Sequence, residues 1–430
     1  MKKVLIWDLN YVLKNSGGPA GYLYNIREYL LKHPTKDAEI HFLKDDLGIP
    51  NVDRSVNTNH KDLMKKIHKL DILSLMGYFR TFRCLMYWNK KLSAKSISGI
   101  NLNDFDAIHF HNSGDLYRAS ELLRSYEGKI ILTTHSPQPK ACEDVENIVY
   151  KWSVLRRLIK KQILKKELQG WEKADYIMFP VQGALEPYYV EKEIKDYKDC
   201  NTDKFIYCES SILDKPISKP LDREELGIDS SKYLICYLGR HNEIKGYDQL
   251  KLFAEHILSK DSRFEFVIAG NEEPLTRLDH PNWKELGWIN YGNRLVSSSD
   301  IFILPNKETY FDLVTLEVMR EGIPILMSRT GGNKFFERYG EEYGIFLYNY
   351  GDIKDQEAQF NKMIYELENG ILKVKAKKLR NLLYKQIYRN RKEYLLIIVA
   401  VFNYVTIFYI NNNNNRPLLS ICITKGSIKK

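Results

Sequence analysis

The chain has 430 residues, of which 44% are hydrophobic and 28% charged. That length exceeds what one hydrophobic core usually serves, and that composition excludes a disordered or collagen-like polymer, so two globular domains are expected. A formal charge of +10 is a small excess on so long a chain, and no base-stacking pattern is interleaved with it, which argues against a nucleic-acid binder.

The first apolar run, VLIWDL at 4–9, is broken at once by Asp8 and Asn10, so it reads as a strand and not as a signal peptide. It leads into GGPAG at 17–21, ahead of a helical pattern. Gly17 and Gly18 have two readings there. Glycines let backbone N–H groups approach an anion at a helix start, or they supply the backbone angles of a tight connection.

Further strands are expected at 39–43, 107–110, 129–134 and 176–180, then at 233–239, 264–270, 301–305, 323–327 and 344–348. These runs are apolar on both faces and alternate with amphipathic segments, the pattern of parallel sheets covered by helices. Pro216 and Pro220 mark a linker at 211–222, which gives domains at 1–210 and 223–370 and an atypical tail at 371–430. Six scattered cysteines have no spacing suited to zinc or a redox couple and fit a reducing cytosol.

Ligands of open parallel sheets sit beyond the carboxyl ends of the strands, so the residues following each strand matter most. Those are GGPAG, HNSGD at 111–115, HSPQP at 135–139, RHNEIKG at 240–246 and NKETYFDLVTLEVMREGIP at 306–324. Gly, His, Arg, Lys and Glu therefore collect on one rim of each sheet. In LGRHNEIKGYDQL, Gly239 ends a strand and Arg240 and Lys245 precede a helix. A guanidinium fork and a compact ammonium suit a diphosphate leaving group, although a solvated basic turn would look the same. Asp104-Phe105-Asp106, the one DxD string, precedes a strand and reads as a turn and cap, not as a metal site.

Taken in order, GGPAGYLYNI, DAIHFHNSGDLY, ILTTHSPQP, ADYIMFPVQGALEPYY, LGRHNEIKGYD, FEFVIAGN, SSSDIFILPN, YFDLVTLEVMREGIP and TGGNKFF resemble the family 4 glycosyltransferases over roughly residues 1–370. The resemblance implies an α/β GT-B fold, two Rossmann-like parallel-sheet domains facing each other across a cleft, and a retaining transfer of sugar from a nucleotide diphosphate. It makes Arg240 and Lys245 the pair that grips the diphosphate and Glu317 the acid that receives the ribose hydroxyls. As an alternative, Glu317 is an acid in the first turn of a helix, favoured by about 0.3–1 kcal/mol through the helix dipole. The family's sugar-contacting Glu stands eight positions earlier, where this chain has Thr309, with Glu308 one place before it. Either Glu308 reaches the sugar, or Thr309 and the backbone of Phe311, Leu313 and Val314 do that work.

His135 matches a histidine that approaches the donor sugar, and Gly17, Gly18 and Gly239 complete the donor loops. His111 and Asn112 fall on the acceptor side; by alternation either His109 or His111 is structural. The resemblance implies no metal and no cofactor besides the nucleotide-sugar co-substrate, because two basic groups do the metal's work. It also implies a glycan or lipid-linked acceptor, surface-polysaccharide synthesis and a cytoplasmic location. Residues 151–170 place Val154, Leu155, Leu158, Ile159, Leu164 and Leu168 among many basic groups, a helix suited either to anionic lipid at the inner membrane face or to packing with a solvated face. The apolar stretch 394–410 would span only about 25 Å as a helix, short of a bilayer core of roughly 30 Å, so a packed or interfacial helix competes with an anchor. A catalytically silent subunit and a sugar-nucleotide epimerase of the same fold are the rival functions.

Overall fold

The computed structural model describes residues 1–14, 18–34, 38–49, 75–146, 153–272, 274–384, 407–410 and 418–421. Strand β1 (Lys2–Trp7) is exposed only at its two lysines and then runs through four buried residues. It lies between β2 (Ala38–Phe42) and β3 (Ala107–Phe110), and β4 (Lys129–Thr133), β5 (Tyr176–Phe179) and β6 (Phe205–Tyr207) extend a six-stranded sheet in the order β2-β1-β3-β4-β5-β6. The second sheet has the order β12-β11-β10-β7-β8-β9, built from β7 (Tyr233–Leu238), β8 (Phe264–Ala269), β9 (Trp283–Glu285), β10 (Ile301–Leu304), β11 (Ile325–Ser328) and β12 (Ile345–Tyr348). Every pairing in both sheets is parallel. All six residues of β8 are buried, as a strand covered by helices on both faces requires. The architecture is thus two parallel-sheet α/β domains, as the alternation of apolar runs implies. The edge strands β6 and β9 escape sequence reading because three residues carry too little periodicity.

Helices α1 (Pro19–Lys32), α2 (Leu75–Asn89), α3 (Ser113–Arg118), α4 (Lys140–Glu146), α5 (Ser153–Lys173) and α6 (Lys192–Cys200) belong to the first domain. The second carries α7 (Tyr247–Leu258), α8 (Gly292–Ser298), α9 (Leu313–Glu321) and α10 (Ile353–Glu368). The chain between the sheets is tied to the second domain. Buried Glu321 accepts the Ser218 N–H at 2.8 Å and the Ser297 hydroxyl at 2.7 Å, and it pairs with Arg320 at 3.0 Å. Residues 371–384 form a further helix that buries Leu372, Ala376, Leu379 and Leu383.

The two domains meet through the segment 182–190 of the first and 331–338 of the second. A Cβ at Gly183 would lie 2.4 Å from the Gly331 carbonyl oxygen, so this contact needs glycine. Glu186 and Lys334 pair across it at 2.6 Å. Leu313, the first residue of α9, packs against the first-domain core cluster that includes Val4, Ile6 and Leu23.

Helix α5 spends much of its apolar surface inside the protein. Ile159, Ile163, Leu164 and Trp171 are buried, and Glu167 accepts the backbone N–H groups of Lys140 and Ala141 at 3.0 and 2.8 Å. Of the six apolar residues that a lipid-facing helix would use, only Val154 and Leu158 are exposed, which narrows that face to its first turns. Among the described residues no helix is long and apolar enough to cross a membrane. Of 394–410, residues 394–406 lie outside the described residues; Ile407–Ile410 is not helical but a strand paired antiparallel with Leu418–Ile421. Asp104 and Asp106 sit at the amino end of β3, where Asp106 takes Lys2 Nζ at 2.7 Å and the Lys3 N–H at 2.8 Å. This is the opposite edge from the strand ends that form the cleft.

Candidate active site

The loop after β7 is held from below and behind. His241 is fully buried and stacks on Tyr247 with ring centroids 4.0 Å apart. Tyr247 in turn donates to Glu285, which also accepts the Trp283 indole N–H at 3.0 Å. Tyr237 donates its hydroxyl to the Arg240 carbonyl at 3.0 Å, and the Asn242 side chain accepts the Lys245 N–H at 2.9 Å. Gly246 has φ +66°, and a Cβ there would lie 1.7 Å from the Pro305 carbonyl oxygen. Only glycine lets this loop press on the end of β10 and start α7. Gly239 is also tight, with its Cβ position 2.5 Å from the Tyr237 hydroxyl.

On that frame the Arg240 side chain is exposed and makes no hydrogen bond or ion pair among the described residues. Lys245 is mostly buried and pairs with Asp312 at 2.6 Å. Asp312 also accepts the Asn306 amide at 2.6 Å. Asp312 opens α9 but makes no side-chain cap. It fixes the ammonium of a residue 67 positions upstream, a pairing that local sequence does not reveal.

Glu317 lies in the second turn of α9, since the helix begins at Leu313 and has no acid in its first turn. The dipole effect fades beyond the first turn, so the sequence-level alternative for this glutamate does not apply. Its carboxyl group makes no hydrogen bond or ion pair within the described residues. Burial raises its pKa above the ordinary value, an effect moderated by Arg320 and Lys215. A half-buried carboxylate without a partner costs stability, which is how a ligand-receiving acid behaves before its ligand arrives.

The other donor-side candidates diverge. Thr309 is fully buried, its hydroxyl 3.1 Å from that of Thr330, and its carbonyl accepts the Gly332 N–H at 3.0 Å. Cβ atoms at Gly331 and Gly332 would lie 2.2 and 2.0 Å from the Thr309 and Tyr310 carbonyls, so the TGG turn serves close packing. Glu308 is half-buried, with its carboxylate near enough to Tyr350 to help raise that phenol's pKa. Phe311 is buried and stacks on Phe336 at 5.4 Å, which leaves only its backbone for a ligand. Leu313 and Val314 stand in the first turn of α9, where amides have no intrahelical acceptor.

Three histidines gather at the strand ends of the first domain. His109 Nε2 lies 2.8 Å from the Thr133 hydroxyl, and His111 Nδ1 lies 2.8 Å from His135 Nε2. Burial pushes the pKa of His135 and of His109 down to about 3, and that of His111 well below its ordinary value. All three are therefore neutral at physiological pH. His135 adopts φ +59°, a left-handed conformation that costs a non-glycine residue roughly 1–2 kcal/mol. Tyr22 of α1 packs on it at 4.7 Å, and Tyr310 of the second domain approaches at 6.3 Å. His135 and Tyr310 thus face each other across the domain boundary. Asn112 caps α3 by accepting the N–H groups of Gly114 and Asp115, so its amide is engaged locally. Gly18 has φ +78° at the start of α1, with open space where a side chain would stand, and Gly17 lies outside the described residues.

Sequence reading did not single out Asp312, Tyr310, Tyr22 or His241. Among the described residues no three His, Cys, Asp or Glu side chains come together as metal ligands.

Comparison with known proteins adds the following. Residues 218–378 match the family described as Glycosyl transferases group 1. The chain is 26% identical over 174 residues to the UDP-Gal:alpha-D-GlcNAc-diphosphoundecaprenol alpha-1,3-galactosyltransferase of Escherichia coli, which covers 37% of this chain and 43% of that protein. The match spans less than half of that relative's length. Among solved structures, Anabaena Alr3699/HepE in complex with UDP and glucose superposes with a TM-score of 0.58 at 13% identity, over 93% of this chain and 100% of that one. Sucrose-phosphate synthase from Thermosynechococcus elongatus gives 0.56 at 15% identity, with the same coverage. The chain therefore has the two-domain α/β fold of the GT-B type, and residues 218–378 of its second domain are similar to the glycosyl transferases group 1 family.

Proposed function

We propose that the protein is a retaining glycosyltransferase that moves a sugar from a nucleotide-diphosphate sugar to a hydroxyl of a glycan or lipid-linked acceptor, in the assembly of a surface polysaccharide. The observation that carries this reading is the pair Arg240 and Lys245, held by the β7 loop at the strand ends of one sheet, on the rim whose Tyr310 approaches His135 of the other domain. A structural neighbour supports the donor class, since HepE was crystallised with UDP and glucose. The Escherichia coli relative, whose acceptor is a diphosphoundecaprenol-linked sugar, supports the acceptor class.

In this mechanism the bond between the anomeric carbon and the β-phosphate oxygen breaks, and negative charge gathers on the departing diphosphate. Arg240 and Lys245 neutralise it, and the α9 amides of Leu313 and Val314 add fixed dipoles. The acceptor hydroxyl enters on the face that the phosphate leaves and gives its proton to the departing phosphate oxygen, so configuration is retained. Rate comes from positioning and electrostatics and needs no side-chain nucleophile. Glu317 accepts both ribose hydroxyls. His135, neutral and oriented by His111, hydrogen-bonds the transferred sugar, and Glu308 reaches the same sugar from the second domain. Two cations serve where other transferases use a metal, and the enzyme works at the cytoplasmic face of the membrane, close to a lipid-linked acceptor.

The test is turnover with a panel of UDP- and GDP-sugars, followed by NMR of the product's anomeric signal. Transfer with retained configuration supports the proposal, and inversion contradicts it. Absence of UDP and GDP binding in calorimetry would favour a silent subunit. Formation of an epimer from UDP-N-acetylglucosamine without acceptor would favour an epimerase.

A further inference from the structure

The diphosphate-gripping rim already holds an anion of its own. Asp312 stands at the N-cap of α9, where an aspartate ordinarily accepts an amide of the first turn, yet it makes no such bond. Its Oδ2 instead accepts Lys245 Nζ and the Asn306 amide, each at 2.6 Å. Oδ1 has no hydrogen bond or ion pair among the described residues, and the side chain keeps 17% of its surface accessible. Arg240 borders the same ground. Tyr237 donates its hydroxyl to the Arg240 carbonyl at 3.0 Å, and its phenol pKa, raised first by burial, is pushed further up by Asp312 and drawn back by Arg240. Arg240, Lys245 and Asp312 therefore share one rim, and the carboxylate sits on one of the two cations assigned to the phosphates.

A carboxylate beside an anion site opposes every anion that enters, and it opposes the more highly charged one more. In a nucleotide-diphosphate sugar the β-phosphate is esterified and carries one negative charge. When the glycosidic bond breaks, that phosphate keeps the electron pair and takes the acceptor's proton. As a terminal phosphate, with a second pKa of about 6, it then gives that proton to solvent at neutral pH. The spent nucleotide thus carries one charge more than the donor, on the phosphate that has just left the sugar. We infer that Asp312 is a specificity-determining residue: it repels this added charge, so the site favours the donor over the spent nucleoside diphosphate. The inference rests on the transferase reading and deepens it at the same site.

The experiment titrates the full chain at pH 8 with UDP and with the β-methyl ester of UDP, which has the same diphosphate and, like the donor, one charge fewer. For each ligand the readout is the ratio of Kd in wild type to Kd in D312N, so contacts common to both proteins cancel. D312N should tighten UDP about tenfold and the ester no more than about threefold. D312S, smaller and also uncharged, should repeat the pattern. A second comparison separates repulsion from mere support of Lys245: in K245A no ammonium remains to be held, and K245A/D312N should still bind UDP about tenfold more tightly than K245A. UDP binding that is unchanged or weaker in D312N and D312S, an equal gain for UDP and its ester, or no gain in the K245A background would each overturn the inference. Failure of the wild-type chain to bind UDP would instead count against the donor reading, so the two failures are distinguishable.

Discussion

Replacing Glu317 by Gln should stabilise the empty protein and weaken nucleotide binding at once. The carboxyl group is half-buried and lacks a hydrogen-bonding partner among the described residues, and burial raises its pKa. A buried acceptor left unsatisfied costs about 1–3 kcal/mol, and because this one keeps some contact with solvent the lower end, about 1 kcal/mol, applies. For a domain of this size that is a rise in Tm of roughly 2–4 °C. The sign with pH follows from the direction of the shift. A carboxyl group with a raised folded pKa is penalised as pH climbs above the ordinary value, and the penalty is complete once pH exceeds the raised one. The advantage of E317Q should therefore be larger at pH 8 than at pH 4. With UDP bound the order reverses, because exchanging two charge-assisted ribose bonds for neutral ones costs about 1–2 kcal/mol, or roughly 5- to 30-fold in Kd. Thermal melts with and without UDP, alongside calorimetry, read both effects. A stabilised variant whose UDP affinity is unchanged would refute the ribose assignment, and a destabilised variant would refute the account of the buried charge.

Two other substitutions probe the supports of the site. Gly246→Ala puts a Cβ 1.7 Å from the Pro305 carbonyl at φ +66°, so the β7 loop must shift and UDP affinity should fall at least tenfold while circular dichroism keeps its α/β shape; normal UDP binding would contradict the loop's role. Asp8 is buried, accepts the Lys44 N–H at 2.8 Å and has its pKa raised to about 7, chiefly by burial. Its cost should accumulate between about pH 4 and 7, so the Tm difference between Asp8→Asn and wild type should rise across that window and level off above it. A difference that stays flat from pH 5 to 8 would be the contrary result.

Ten strands and the two-domain plan are legible because parallel strands covered on both faces leave unbroken apolar runs, such as FEFVIA and YLICYL, that little else imitates. The rim residues are legible for the same reason, since strand ends locate the loops. What the sequence does not reveal is which loop residues meet. Asp312 looks like an ordinary helix cap, and its pairing with Lys245 depends on two loops of one sheet rim coming together. Tyr310 looks like a core aromatic, and its approach to His135 is a contact between domains, whose packing also brings Gly183 against Gly331. Thr309 shows the converse: a count of eight from Glu317 lands on it, with Glu308 beside it as the other candidate, and only the fold shows that its hydroxyl lies against Thr330. The apolar residues of α5 were readable as a membrane face until packing consumed most of them.

The central claim is that the ammonium of Lys245 and the guanidinium of Arg240 hold the nucleotide's diphosphate. Calorimetric titration of UDP into wild type, R240A, K245A and the double variant tests it most directly, with uridine as the phosphate-free control. Each charge-assisted contact should be worth about 1.5–3 kcal/mol, so each single variant should lose on the order of tenfold to a hundredfold in UDP affinity. Uridine binding should not change. Double-variant binding of UDP within a factor of two of wild type would contradict the account.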